Sequence, residues 1–238
     1  VDFELITLFP EQTAAMAAVG VTGRALSSGS HRLRCWNPRD HADGPYRRVD
    51  DRPYGGGPGM VMLAEPLARC LAAIRVARAA TARPSLPLIH LSPQGQRLDQ
   101  DRVRRLATGA GAILLCGRYE AIDQRFLDAE VDEEISIGDF IASGGELPAL
   151  LLVDAVVRLL PGTLNDPDSA LAESFSDGLL DHPHYTRPET FGGVPVPSVL
   201  LSGNHAEIAS WRRSQAEAVT ARKRPDLLAV APDRVRHD

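Results

Sequence analysis

The sequence predicts an α/β protein built on a mostly parallel sheet. Two patterns predict it. Between residues 86 and 137 three apolar strands alternate with helical segments, an order that places parallel strands side by side. Each strand then runs into a segment carrying glycine and polar side chains, and open parallel sheets bind ligands beyond the carboxyl ends of their strands. The chain has 238 residues with 44% hydrophobic side chains, enough for one large core or two unequal ones.

Phe3 to Leu8 reads as a strand, and Pro10 opens a helix because its fixed φ suits a first turn. A second helix is expected from Thr22 to Ser28, stopping at Gly29, followed by a strand from His31 to Trp36. Residues 37–60 are polar and glycine-rich and read as a long loop. Glu65 and Pro66 open a helix whose inner face carries Leu67, Cys70, Leu71 and Ile74. Leu86 to Leu91 is an apolar strand ending in Ser92-Pro-Gln-Gly95. Asp99 to Leu106 is a helix with Val103 and Leu106 inward. Ala112 to Cys116 is a buried strand ending in Gly117-Arg-Tyr-Glu120. Asp123 to Ala129 is helical, and Val131 to Ile137 is an acidic strand. An apolar helix opens near Pro148 and runs to about residue 160. With Asp154 and Arg158 inside it, this helix is too short and too charged to cross a bilayer.

After Leu160 the composition shifts toward Asp, Ser, Pro and Gly. The expected organisation is a first domain over 1–160, a flexible linker over 161–184 and a small helical domain over 185–238. In the last, Asn204 caps a helix and Glu207 stands three residues on, as in a capping box. Ile208, Trp211, Ala218 and Val219 mark its apolar side.

The net charge of −5 argues against a general nucleic-acid coat protein. It leaves room for local basic grooves, because steering follows charge distribution. Arg24, Arg32, Arg34, Arg39, Arg47, Arg48 and Arg52 form one such cluster, and Arg212, Arg213, Arg222, Lys223 and Arg224 a second. Three widely spaced cysteines without a CxxC, and an N-terminus bearing acids where a signal peptide needs bases, point to a reduced cytoplasmic protein.

The most informative stretch is Ser136-Ile-Gly-Asp-Phe-Ile-Ala-Ser-Gly-Gly-Glu-Leu-Pro148. Its glycines let backbone approach a flat or bulky group, and Asp139 and Glu146 put carboxylates beside it. It reads as a pocket for a ligand with an apolar body and polar or cationic edges. Ser92–Gly95 and Gly117–Glu120 are expected on the same sheet edge. Val49–Met60 is also glycine-rich; it either offers backbone N–H groups to an anion or is a structural loop. It lacks the Gly-Lys-Ser/Thr of a phosphate-binding loop, which speaks against phosphoryl transfer. The run Asp132-Glu133-Glu134 reads as a solvated edge, since neighbouring strand residues alternate faces. His182-Pro-His184 beside Asp181 resembles half of a zinc site, but no partner pair stands at suitable spacing, so it reads as a loop and no metal ligands are assigned. Taken alone, Arg158 is a cation at a helix C-terminus and Glu173 a surface acid.

Together, V-D-D-R-P-Y-G-G-G-P-G-M, L-S-P-Q-G, C-G-R-Y-E, S-I-G-D-F, S-G-G-E-L-P-A, D-G-L-L-D, P-H-Y-T-R-P and L-L-S-G-N-H resemble the bacterial tRNA (guanine-N1)-methyltransferase family, TrmD, over roughly residues 3–228. The resemblance implies a SPOUT-type domain with a deep trefoil knot on its C-terminal side, a small helical C-terminal domain that helps to hold tRNA, and a homodimer. It implies S-adenosylmethionine bound in the knot and methyl transfer to N1 of the guanine 3′ of the anticodon. Carried over by position, Leu91, Ser92, Pro93, Gly117, Ile137, Gly138, Asp139, Phe140, Ile141, Ala142, Gly144 and Gly145 form the methyl-donor pocket, where Glu120 and Asp139 favour a sulfonium by charge. Arg158 matches the family's catalytic arginine. Glu173 stands where the family has an aspartate base, one methylene longer. A Mg²⁺ requirement is a further family expectation, without a ligand set legible in the sequence. The alternative is a non-catalytic RNA-binding relative of the same fold.

Overall fold

The computed structural model describes residues 1–164 and 173–229. The chain divides into two compact units, Val1–Asn165 and Asp166–Asp238. Residues 165–172 of the expected linker lie outside the described residues.

In the first unit the order is β1 (Asp2–Ile6), α1 (Pro10–Ala17), α2 (Gly20–Ser28), β2 (Arg32–Trp36), β3 (Asp50–Asp51), β4 (Val61–Met62), α3 (Ala64–Ala80), β5 (Leu88–Arg97), α4 (Gln100–Thr108), β6 (Gly111–Leu115), β7 (Ala121–Ile122), α5 (Gln124–Glu130), β8 (Glu133–Ser136) and α6 (Glu146–Val157). Five strands form one sheet in the order β2-β1-β6-β5-β8, and every neighbouring pair is parallel. The expected α/β architecture with a mostly parallel sheet is therefore present. Strand periodicity sorts the core into two layers. Phe3, Leu5, Ile89, Leu91, Leu114 and Ile135 meet α2, α4 and α6 on one face. Ile6, Leu88, Ile113 and Leu115 meet α3 and α5 through Leu67, Leu71, Ile74 and Phe126 on the other. At about 1.5–3 kcal/mol for each fully buried large apolar side chain, these two layers are the main hold on the sheet.

Three local expectations are corrected. Ser92–Gly95 is not a loop after a strand. β5 continues to Arg97, and Ile135 of β8 pairs with both Leu91 and Gln96, so the four residues between stand out of the ladder as a bulge. Pro93, with no N–H to give a ladder, suits that position. The acidic run is not a merely solvated edge either. Asp132 accepts from Leu88 N at 2.7 Å, Glu133 accepts from Arg102 Nε at 2.8 Å, and Glu134 meets His90 Nδ1 at 2.8 Å. These bonds fasten the edge strand β8 to β5 and α4. Finally, the 37–60 loop leads into a second small sheet, β3-β4-β7, in which β4 runs antiparallel to β3 and parallel to β7.

Beyond β8 the chain returns across the end of β5 to the loop after β6. Gly145 N donates to Gly117 O at 2.9 Å. A Cβ on Gly145 would stand 2.6 Å from Cys116 Cα, so only glycine allows this approach. The apolar helix then opens at Glu146, two residues before the expected Pro148, which suits a first turn.

In the second unit β9 (Thr190–Phe191) and β10 (Val194–Pro195) make an antiparallel hairpin, followed by α7 (His205–Lys223) and α8 (Asp226–Ala229). Asn204 Oδ1 accepts from Glu207 N at 3.4 Å, so the N-cap stands where the sequence puts it. Ala218 faces solvent rather than inward. The buried positions of α7 are Ala216 and Thr220, four residues apart on one helix face. Thr220 Oγ1 accepts from Leu180 N at 2.9 Å, tying the preceding segment to the helix. Among the described residues no helix is long and apolar enough to cross a membrane.

Candidate functional site

The three strand ends do converge. A cavity of about 390 Å³ opens at the carboxyl edge of β5, β6 and β8. Leu91, Ser92 and Pro93 line it from the bulge of β5, Gly117 and Glu120 from the segment after β6, and Ile137, Gly138, Phe140, Ile141, Ala142, Gly144 and Gly145 from the returning segment. Phe140 and Ile141 are exposed at its mouth, an apolar cover for a flat ligand. Asp139 is the one member of the expected set outside this wall; it is exposed and paired with Arg97.

The walls are braced by charged side chains. Glu146, expected beside the ligand, is buried and accepts from Arg118 Nε at 2.8 Å and from Thr7 Oγ1 at 2.8 Å. Arg118 also donates to Ser143 O at 3.2 Å and lies 4.6 Å over the Phe9 ring. Glu146 thus locks together the ends of β1 and β6 and the start of α6. A buried charge with two such partners avoids the desolvation penalty of an unpaired one. Glu120 is set by the glycine-rich loop. Its N–H donates to Met60 O at 3.0 Å, and its side chain passes over Gly59, where any Cβ would stand 2.2 Å from Glu120 Cγ. Of the two roles open to Val49–Met60, the structural one is therefore filled.

Sequence reasoning missed His90. It is nearly buried on the cavity floor, and Gly117 leaves room for its Nε2. Burial lowers its pKa, against the opposing pull of Glu134. The neutral ring then donates Nδ1–H to Glu134 and turns a lone pair at Nε2 toward Gly117. A histidine between two apolar strand residues was the available signal. The thiols offer no nucleophile. Burial pushes Cys35 up to about 11, Cys70 up to about 12 and Cys116 well above the ordinary range, so all three are protonated at neutral pH.

Arg158 caps α6 in the first unit, its N–H donating to Asp154 O at 3.1 Å. Glu173 belongs to the second unit and opens a tight turn: Ser176 N donates to Glu173 O at 3.1 Å, and Phe175 N to Leu179 O at 2.7 Å. Nearby Asp177 is paired with Arg213 of α7. A wider groove of about 940 Å³ on the second unit is lined by His182, His184, Tyr185, Arg187, Trp211 and Arg212, among others. Several arginines of the two basic clusters are held by acids, Arg47 by Asp40 and Arg224 by Asp226 among them. Arg24, Arg32, Arg52, Arg212, Arg222 and Lys223 have no ion-pair partner among the described residues.

The family model described as tRNA (Guanine-1)-methyltransferase TrmD matches residues 1–230. A tRNA (guanine-N(1)-)-methyltransferase of Methylibium petroleiphilum is 61% identical over 232 residues, covering 96% of this chain and 91% of its own length. Its counterpart in Paracidovorax citrulli is 60% identical over 232 residues, with the same coverage of 96% and 91%. That of Burkholderia mallei (strain SAVP1) is 58% identical over 231 residues, 97% of this chain and 88% of its own. With a match that runs from residue 1 to residue 230, through every loop of the cavity, the chain belongs to the tRNA (guanine-1)-methyltransferase TrmD family.

Proposed function

We propose that this protein transfers a methyl group from S-adenosylmethionine to N1 of the guanine 3′ of the tRNA anticodon, position 37. The observation that carries it is the coincidence of family and cavity. The loops that bear the family's motifs, Leu91–Pro93, Gly117 and Ile137–Ala142, wall one 390 Å³ cavity. The relatives are named for a transferase activity, which favours the enzyme over a non-catalytic RNA-binding relative.

The residues fit the methyl donor. Gly144 and Gly145 let the returning segment close against Arg118 and Cys116, which a Cβ would strike, and so shape the wall. Phe140 and Ile141 supply an apolar cover, backbone groups of the turns read the edges of the base, and Glu120 sets a carboxylate near the sulfonium. When bound, the donor supplies an electrophilic methyl group. The chain's own part is to ready the acceptor. Guanine N1 carries a proton and has no free lone pair, so Glu173 takes that proton as general base. Arg158 offers its guanidinium to O6, where negative charge then develops. No set of three metal-ligating side chains stands at the cavity among the described residues, and no step is routed through Mg²⁺.

The finer organisation belongs to the same proposal. The return of the chain from β8 across β5 to Gly117 supports a trefoil knot that closes around the cavity. A first domain over 1–160 would hold the donor, a linker over 161–184 would carry the base, and the helical domain over 185–238 would hold tRNA through Arg212, Arg222 and Lys223. Phosphate contacts of this kind make binding strongly salt-dependent. Leu147 and Leu151 on α6 are exposed, as are Phe140 and Ile141 at the cavity; large apolar side chains left in solvent support a homodimer that would cover them. The proposal places the enzyme in the cytoplasm with its tRNA.

The deciding experiment is methyl transfer to tRNA transcripts that carry guanine or adenine 3′ of the anticodon. Transfer to the first alone is expected. Equal transfer to both would remove the proposed specificity.

A further inference from the structure

Methyl transfer leaves one cluster of the second unit unused, Asp181-His-Pro-His184. His184 Nε2 lies 2.8 Å from Asp181 Oδ2, and His182 Nε2 lies 3.7 Å from Asp181 Oδ1. One ligand atom from each of the three stands within 4.8 Å of the others. In a tetrahedral shell with metal–ligand bonds of about 2.0–2.1 Å, neighbouring ligand atoms are roughly 3.3 Å apart. The 2.8 and 3.7 Å spacings straddle that value, so small side-chain rotations would bring the three ligand atoms to one ion.

The ligand atoms are also prepared. His182 Nδ1 is 3.2 Å from Pro183 O. A carbonyl oxygen only accepts, so the ring donates through Nδ1, which leaves Nε2, on the side of Asp181, as the ligand atom. A histidine that donates its second N–H to a backbone carbonyl is the usual state of a metal ligand. Asp181 is fixed at both ends: its carboxylate accepts from His182 N at 2.7 Å, and its own N–H donates to Ser174 Oγ at 3.0 Å. The His182 ring lies tilted against Trp211, 6.5 Å between centroids, which ties the cluster to α7. His182 and His184 both line the 940 Å³ groove, so a fourth coordination position would open onto solvent.

We propose that Asp181, His182 and His184 form a binding site for one divalent transition-metal ion of the Zn²⁺ class. Two imidazoles and one carboxylate favour Zn²⁺, Co²⁺ or Ni²⁺ over Mg²⁺, which takes oxygen ligands. The site is separate from any Mg²⁺ requirement of methyl transfer and does not depend on that function. In the absence of an ion, the His184–Asp181 hydrogen bond occupies the same atoms.

The test uses the full chain without a histidine tag, dialysed against chelator and then titrated with Zn²⁺ in a calorimeter and with Co²⁺ by visible absorption. One equivalent of Zn²⁺ is expected, with the Co²⁺ bands of a four- or five-coordinate site and binding at least about tenfold weaker in His184→Asn and Asp181→Asn. His184 is exposed, so its replacement leaves the fold intact; circular dichroism checks this. His41→Asn, in the first unit, serves as the control and should bind as the parent does. The proposal is overturned if no equivalent binds, if Mg²⁺ binds as tightly as Zn²⁺, or if His184→Asn binds unchanged.

Discussion

The cavity and the pair of side chains proposed for the chemistry are built in different ways. The cavity lies wholly in the first unit, and its walls are fixed by backbone. Gly145 bonds to Gly117, the bulge of β5 pairs on both sides with Ile135, and the buried Glu146 clamps Arg118 and Thr7. Arg158 and Glu173, in contrast, come from one unit each, on a helix end and a tight turn. Under the proposed function, donor binding would need the first unit alone, whereas proton removal would draw one side chain from each unit.

The strongest test of that division removes the chemistry and watches the binding. Glu173→Gln should lower the single-turnover rate about 10²–10⁴-fold, the usual contribution of a general base. Arg158→Ala should lower it about 10²–10³-fold, as expected for a lost stabiliser of developing charge. In both variants the affinity for S-adenosylhomocysteine, measured by calorimetry, should stay within about twofold of the parent. A matching fall in affinity would show that the two regions are not separate. The converse variants act on the cavity. Glu146→Gln leaves Arg118 without its charge partner and Gly145→Ala drives a Cβ into Cys116; each should lower stability by about 1–3 kcal/mol, read by denaturant titration. Both should also weaken the donor analogue.

How legible each region was in the sequence follows the same line. The strand-helix alternation of residues 86–137 is a local pattern, and the parallel pairing it pointed to is present in β5, β6 and β8. The glycines of Ser136–Pro148 gave away a close backbone approach, because no other residue tolerates it. What stayed hidden depended on partners distant in sequence. Glu146 looks like a ligand-facing acid until Thr7, 139 residues away, and Arg118 are seen to hold it. Asp132 to Glu134 look solvated until Leu88, Arg102 and His90 arrive. Ser92–Gly95 carries turn residues, yet the strand resumes beyond it, because β8 supplies pairing on both sides of the bulge. Periodicity and composition carry no information about such encounters.

A smaller effect sharpens the boundary of the cavity. Asp139 is paired with Arg97 at the surface rather than lining the wall. An exposed pair is worth at most about 1 kcal/mol, so Asp139→Ala should change donor affinity by less than about fivefold in calorimetry. A loss beyond that would return Asp139 to the ligand.

The smallest expected effect separates the two units by pH. His31 and His90 are buried in the first unit, and burial lowers the pKa of each below the ordinary 6.5. The unfolded chain then binds protons that the folded one does not. Their contribution is full above 6.5 and declines as pH falls from 6.5 toward the folded values. The second unit has the opposite kind of group. Asp181 and Asp226 are held below the ordinary 3.8, so what they contribute is lost only as pH falls below 3.8. Between pH 7.5 and 5.0 the first unit should therefore lose stability that these groups of the second unit keep. Hydrogen-exchange mass spectrometry, corrected for the intrinsic pH dependence of exchange, reads the two separately. Peptides from β5 and α2 should lose protection while α7 holds its own, and His90→Gln should flatten the response of β5. Equal loss in both units would mean that they open together, and the division between binding and chemistry would then not extend to their stability.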